Sequence, residues 1–324
     1  MSALISVIET VAWLKENDNY LLITHRRPDG DTLGSAGALA QGLRELGKTA
    51  YVLENHELTP RYAPCVTDYI APADFNPDNV IAVDTATLDL FTKNALDYSD
   101  KISLCIDHHE SNTNYSEFLC IDSGRAACGE IIYDILMQLT GSISQITAGH
   151  LYVAISTDTG CFSYANTTAE TFAVASKLLE LGAPVRELNK KLFRTKTMGR
   201  IKIEGKITSN MEFHFDGKVA IAIITREMME TSGANEDDID DISNLPVSVE
   251  GVGYGITIRE LTSSTDCKIS CRTVPPNDAN ALCAKFGGGG HKTAAGASVN
   301  KTVYEIKEEI LETLSSNENI ISLA

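Results

Sequence analysis

Short, mostly apolar runs that stop on an aspartate or a histidine constrain this chain most. Residues 20–23, 80–83 and 102–106 are such runs, and they open onto "THRRPDGD", "DTA" and "DHHES". A run of this length without polar alternation suits a strand buried on both faces. With a further strand candidate at 50–54 and the first run extended to 24, these segments alternate with amphipathic helical stretches. The helical stretches are 34–46, closed by Gly47, 126–139, closed by Gly141, 150–156, and 168–181, closed by Gly182-Ala183-Pro184. Strand and helix in alternation predict an α/β fold, a parallel sheet with helices on both faces.

The pattern changes after about residue 185, where "PVRELNKKLFRTKTMGRIKIEGKITSN" is basic and helix-like. Beyond it, Asp216-Gly217 sits between strand candidates 211–215 and 218–224, a strong hairpin signal. Strands at 253–260 and 267–273 and a helix at 278–285 follow, and the acidic "NEDDIDDIS" reads as a solvated loop or helix start. At 324 residues about two domains are expected. The division is an α/β domain at 1–185, a helical linker at 186–211, and a smaller α+β domain at 212–324.

The formal net charge is −17, which repels long nucleic acid, duplex included, except at a local site. A phosphorylated substrate would therefore be short and held by a few arginines, histidines or metal ions. The N-terminal "MSALISVIETVAWLKENDNY" carries acids and a lysine where a signal peptide needs an unbroken apolar stretch. No apolar run of about 18 residues occurs, so no membrane association is expected. The eight cysteines form no C-x-x-C pair, and Cys267 and Cys271 read as core residues on one strand face. The expected setting is a reducing cytoplasm, without structural zinc.

In an open parallel sheet the carboxyl ends of the strands share one edge, where ligand crevices form. His25, Asp29, Asp31, Asp84, Asp107, His108 and His109 all lie at such ends, and Asp158 closes an apolar helix that could reach them. Singly, each has an ordinary reading: Asp84 as a turn former, Asp158 as a helix cap, the histidine pair as a structural cap. Together, so many carboxylates would raise one another's pKa, and divalent cations resolve the conflict. Oxygen and imidazole donors suit Mn²⁺ or Mg²⁺ better than thiolate-bound zinc. Farther on, Gly287 to Gly290 read either as a flexible turn or as an anion nest formed by Gly288, Gly289 and Gly290 N–H groups, followed by His291. Arg272, at a strand end, has the fork that suits a phosphate.

This series of motifs resembles the DHH phosphoesterase superfamily: His25 with Asp29 and Asp31, then Asp84, the Asp107-His108-His109 triplet, Asp158, and "FGGGGHKTAAGA" as in the DHH-associated C-terminal domain. The resemblance spans almost the whole chain and lies nearest the bacterial nano-RNase branch. It implies two divalent ions, Mn²⁺ foremost with Mg²⁺ or Co²⁺ as alternatives. His25, Asp29 and Asp84 would hold one, and Asp31, Asp84, His108 and Asp158 the other. Asp107 would orient an imidazole, His109 would contact the scissile phosphate, and Arg272, Gly288, Gly289, Gly290 and His291 would bind substrate across a cleft. The implied activity is hydrolysis of very short oligoribonucleotides to mononucleotides, together with dephosphorylation of 3′-phosphoadenosine 5′-phosphate to AMP. Linear dinucleotides such as pApA are the runner-up substrates and inorganic pyrophosphate a weaker one. A homodimer stays open. Cys271 and Thr273 depart from the Leu-Arg-Ser of related motifs, while the arginine between them is kept.

Overall fold

A computed structural model describes residues 2–239 and 241–316, and the chain divides into two compact units, Met1–Thr195 and Lys196–Ala324. The first unit runs β1 (Ala3–Leu4), α1 (Val7–Glu16), β2 (Tyr20–Ile23), α2 (Gly30–Glu45), β3 (Ala50–Val52), β4 (Asn79–Val83) and α3 (Lys93–Leu96). It continues with β5 (Ile102–Asp107), β6 (Phe118–Ile121), α4 (Cys128–Thr140), α5 (Gln145–Asp158), α6 (Ala169–Glu180) and α7 (Val185–Asn189).

Its strands pair in parallel in the order β1-β6-β5-β4-β2-β3. The chain leaves β2 for β3 on one side and returns to β4 on the other, so the order reverses beside β2. Parallel sheets leave a crevice at the carboxyl ends of the strands at such a switch point. Tyr20, Leu22, Ile81, Val83, Leu104 and Ile106 join one apolar cluster with residues of α1, α2, α4 and α5. Leu21, Ile23, Val80, Ala82 and Cys105 join another, whose cover comes from the short α3 and from loop aromatics such as Phe91 and Phe75. Both faces are therefore buried, which explains the unbroken apolar runs, but one face takes most of the helical cover.

Helix α2 begins at Gly30, one turn before the predicted start at Gly34, because Asp29 caps it: Oδ1 accepts from the N–H groups of Asp31 and Thr32 at 3.0 and 3.1 Å. Helix α5 likewise begins at Gln145, capped by Ser144. Glycines allow α2 to lie close against α5. A Cβ on Gly30 would stand 2.3 Å from Thr157 Oγ1, and one on Gly34 2.5 Å from the His150 carbonyl oxygen. This close approach brings the first turn of α2, with Asp31, to the last turn of α5, with Asp158.

The segment 186–211 is mostly helical, with an extended break at 195–197, and is shared out: α7 and the π-turn Lys190–Arg194 lie in the first unit, and α8 (Met198–Ser209) in the second. The second unit continues with β7 (Glu212–His214), β8 (Val219–Ile224), α9 (Arg226–Ser232), β9 (Tyr254–Glu260) and β10 (Asp266–Thr273). It ends with α10 (Ala279–Ala284), β11 (Gly289–Gly290), β12 (Ala294–Asn300) and α11 (Val303–Ser315). The sheet order is β11-β12-β10-β9-β8-β7, antiparallel except for the β8–β9 pair. Asp216 and Gly217 turn the β7–β8 hairpin with φ of +54° and +83°, as the dipeptide predicts. Cys267 and Cys271 are buried with Ile306 and Ile310 of α11. The acidic stretch is not simply solvated. Asp238 is buried and accepts from Thr197 Oγ1 at 2.5 Å, and Ile239 and Ile242 join the cluster formed with α8. Asp240 lies outside the described residues. Among the described residues no helix is long and apolar enough to cross a membrane.

Two glycine-to-alanine changes in helices test the α2–α5 packing. Gly34→Ala should lower the unfolding free energy by about 1–3 kcal/mol, because the added methyl meets backbone. Gly205→Ala, on α8 with nothing within 4 Å, should raise it by about 0.4–1 kcal/mol. Urea denaturation measures both, and stabilisation by Gly34→Ala would disprove the close approach.

Candidate metal centre

Asp84 follows β4 directly, is 3% exposed, and has φ of +53°, a left-handed conformation that only a few residue types accept readily. Its N–H stays on the sheet, donating to the Ile106 carbonyl at 2.9 Å. One carboxylate oxygen, Oδ2, lies 3.9 Å from His25 Nε2, and the other, Oδ1, lies 3.6 Å from His108 Nε2. His25 Nε2 is also 3.7 Å from Asp29, and His108 Nε2 is 3.7 Å from Asp31 and 3.8 Å from Asp158. Two groups result, His25–Asp29–Asp84 and Asp31–His108–Asp158, in each of which the donor atoms lie within 4.8 Å of one another. Asp84, His108 and His109 form a third, overlapping group.

The neighbours of these side chains fix their orientation. His25 Nδ1 is 2.8 Å from the Arg26 carbonyl and His108 Nδ1 3.2 Å from the Arg125 carbonyl. A carbonyl only accepts, so each ring donates from Nδ1 and turns Nε2 toward the carboxylates. Asp31 accepts from the Cys128 and Gly129 N–H groups at 2.6 and 3.0 Å, the start of α4, and from Ser35 Oγ at 3.0 Å. Asp107 is fully buried. It accepts from the N–H groups of His108 and His109, from His109 Nδ1 at 2.7 Å and from Asn112 Nδ2 at 2.7 Å.

The charges are in conflict. Burial, followed by the charges of Asp31, Asp29, Asp107 and Asp158, holds the Asp84 carboxyl well above the usual range. Burial and Asp31 push Asp158 up to about 7, and burial raises Asp31 as well. Against the effect of burial, the His25 partner keeps Asp29 low and the His109 partner keeps Asp107 low. The bond to Asp107 in turn raises the His109 imidazole. Asp84 Oδ1 is buried without a hydrogen-bond partner among the described residues. An orphaned carboxylate oxygen among carboxylates and imidazole nitrogens, with no thiolate among the donors, fits hard or borderline divalent cations.

In the second unit, Arg272 lies on β10 opposite Ala294 of β12, and its Nε donates to Asn244 Oδ1 at 3.1 Å. The N–H of His291 donates to the Ala294 carbonyl at 2.8 Å, and the His291 carbonyl accepts from the Ala294 N–H at 3.2 Å, so His291 and Arg272 flank Ala294 in one cross-strand row. The predicted anion nest is not formed. The N–H of Gly288 donates to the Cys283 carbonyl, that of Gly290 to Asn280 Oδ1, and Gly289 pairs with Gly296 in the β11–β12 ladder. The glycines answer to packing instead: a Cβ on Gly288 would stand 2.1 Å from the Gly296 carbonyl oxygen, and Gly290 has φ of +148°. The sequence reading missed Ser35, Asn112, Asn166 and Asn244, which hold Asp31, Asp107, Asp158 and Arg272. Only Ser35 and Asn112 lie near enough in sequence to their partners to have been suspected.

A DHH family, N-terminal domain model matches residues 19–155, and a DHHA1 domain model matches 216–317. The chain belongs to the DHH phosphoesterase family. It is 32% identical over 281 residues to the bifunctional oligoribonuclease and PAP phosphatase NrnA of Thermus thermophilus, covering 86% of this chain and 83% of the relative. The Bacillus subtilis protein of the same name is 25% identical over 296 residues, covering 90% and 92%. Among solved structures, an exopolyphosphatase-related protein from Bacteroides fragilis shares the fold with a TM-score of 0.85 at 24% identity, covering 95% of each chain. The exonuclease RecJ bound to manganese shares it with a TM-score of 0.56 at 13% identity, covering 96% of this chain and 94% of the other.

The raised Asp158 gives a signed pH dependence. In chelator the folded chain keeps this proton up to about 7, whereas the unfolded chain releases it near the ordinary value of 3.8. Wild type should therefore lose stability relative to Asp158→Asn as pH rises from about 4 to about 7, with no further change above. Urea unfolding of both proteins across that range measures the gap, and a constant gap would show that Asp158 is not in conflict with its neighbours.

Proposed function

We propose that this chain hydrolyses short oligoribonucleotides to mononucleotides and 3′-phosphoadenosine 5′-phosphate to AMP, using two divalent ions. The observation that carries the reading is Asp84, with one carboxylate oxygen toward His25 and the other toward His108. His25, Asp29 and Asp84 would hold one ion, and Asp31, Asp84, His108 and Asp158 the other. Mn²⁺ is the ion that mixed carboxylate and imidazole donors favour here. When bound, such a pair supplies hydroxide at neutral pH and offsets the charge of the phosphate.

The chain's own residues account for the remaining chemistry. Asp107 fixes the His109 ring through Nδ1 and shifts this half-exposed imidazole toward its charged form, the form that can donate a proton from Nε2. That proton goes to the oxygen leaving phosphorus as water's hydroxyl adds to it, making His109 the general acid. Arg272 and His291, on either side of Ala294 in the second sheet, are assigned to the far phosphate or nucleotide, and Gly288, Gly289 and Gly290 to a floor without side chains beside them. With a net charge of −17, the chain suits ligands that a few cations can hold, in the cytoplasm where short RNA arises. The names of the Thermus and Bacillus relatives support the same pair of substrates.

The test is a substrate panel with Mn²⁺: RNA dimers to 20-mers, 3′-phosphoadenosine 5′-phosphate, pApA and pyrophosphate. Dimers, other very short RNAs and the bisphosphate should be hydrolysed, the 20-mer and pyrophosphate hardly at all, and chelator should abolish turnover. His109→Ala should lower kcat on both good substrates by about 10²–10⁴-fold. Equal rates on dimers and 20-mers would contradict the reading, and a strong preference for pApA would move it to dinucleotide turnover.

A further inference from the structure

Among the described residues, of the two candidate metal groups only Asp31–His108–Asp158 is held by the segment 122–129, the loop after β6 together with the first residues of α4. The Arg125 carbonyl accepts from His108 Nδ1 at 3.2 Å. Cys128 and Gly129 donate their N–H groups to Asp31 at 2.6 and 3.0 Å. The Ala126 carbonyl accepts from Asn166 Nδ2 at 3.0 Å, and the same amide reaches the Asp158 carbonyl at 3.1 Å and its Oδ2 at 3.5 Å. Among the described residues, neither His25 nor Asp29 nor the Asp84 side chain has a hydrogen bond to this loop.

These contacts use main-chain atoms, so something else must fix the loop. The Arg125 side chain, 17% exposed, does so. Its Nε reaches Asp122 at 3.2 Å, Nη2 reaches Asp134 at 2.6 Å, and Nη1 reaches Glu170 at 2.7 Å and Glu130 at 3.9 Å. Asp122 belongs to the loop, Glu130 and Asp134 to α4, and Glu170 to α6, so one guanidinium ties the loop to two helices. A planar fork with five donors can serve several carboxylates at once, whereas a lysine offers a single point charge.

We infer that Arg125 is a positioning residue for one ion of the pair: its fork sets the loop that orients His108, Asp31 and, through Asn166, Asp158. Binding of the ion assigned to those residues depends on it, and binding of the ion assigned to His25 and Asp29 does not. The inference rests on the reading of the two groups as divalent-ion sites. Were Arg125 only a brace for the fold, its loss would act on both ions alike.

Mn²⁺ binding to the full chain, followed by calorimetry and electron paramagnetic resonance, separates these cases. Wild type should bind two ions. Arg125→Lys should weaken one of them by about 10–100-fold and leave the other unchanged, with circular dichroism unaltered. Asn166→Ala, which strands no charge, should weaken one site in the same selective way. In metal-free protein, imidazole ¹⁵N shifts should show His108 losing its Nδ1-protonated form in Arg125→Lys while His25 keeps its own. Equal weakening of both sites, or two unchanged sites in a folded variant, would overturn the role of Arg125. No Mn²⁺ bound by wild type would instead overturn the metal reading on which it stands.

Discussion

Repulsion around the buried Asp84 carboxylate is the constraint on which the first unit depends. Asp29, Asp31, Asp107 and Asp158 all press on it, in surroundings where like charges are weakly screened. The fold relieves three of these neighbours locally: Asp29 caps α2, Asp31 sits on the first N–H groups of α4, and Asp107 is enclosed by His109 and Asn112. Asp84 gets no such relief. Its Oδ1 is orphaned, and its backbone is held in a left-handed conformation. A costly arrangement of this kind persists only where the surrounding structure over-determines it. Here that structure is a sheet buried on both faces and two helices brought close by glycines. A divalent cation would relieve Asp84, and the carboxylate and imidazole donors around it fit one of hard or borderline character.

Much of this was legible in the sequence, and for a physical reason. Strands buried on both faces leave no room for a polar residue, so the first aspartate after each run marks the carboxyl edge of the sheet. That is why Asp84, Asp107 and His108 could be placed beside one another before any geometry was known. The start of α2 was less legible because Gly30, after Pro28-Asp29, looks like a turn residue. The Asp29 cap makes it helical, and its burial against α5 is something no local pattern encodes. Arg125 and Asn166 were invisible for the same reason: their partners Glu170, Ala126 and His108 are distant in sequence or reached through main-chain atoms.

The glycine run before His291 shows the opposite failure. Its composition suggested N–H groups free for an anion, yet in the folded unit those of Gly288 and Gly290 have acceptors and Gly289 is paired in a β-ladder. The glycines are required because β12 lies too close for side chains on Gly288 or Gly290. The ligand contacts proposed for the second unit are side chains instead, the Arg272 guanidinium steadied by Asn244 with His291 in the same row. In a chain with a net charge of −17, so local a cationic feature favours a small phosphorylated ligand over a long polyanion.

The central claim is that Asp84 opposes folding when it stands alone with its neighbours and supports it when a divalent ion is shared. Unfolding free energies of wild type and Asp84→Asn, each in chelator and in saturating Mn²⁺, test this most directly. The expected result is a reversal of order: the asparagine variant more stable in chelator, wild type more stable with Mn²⁺. Wild type more stable in both conditions, or no response of either protein to Mn²⁺, would contradict it.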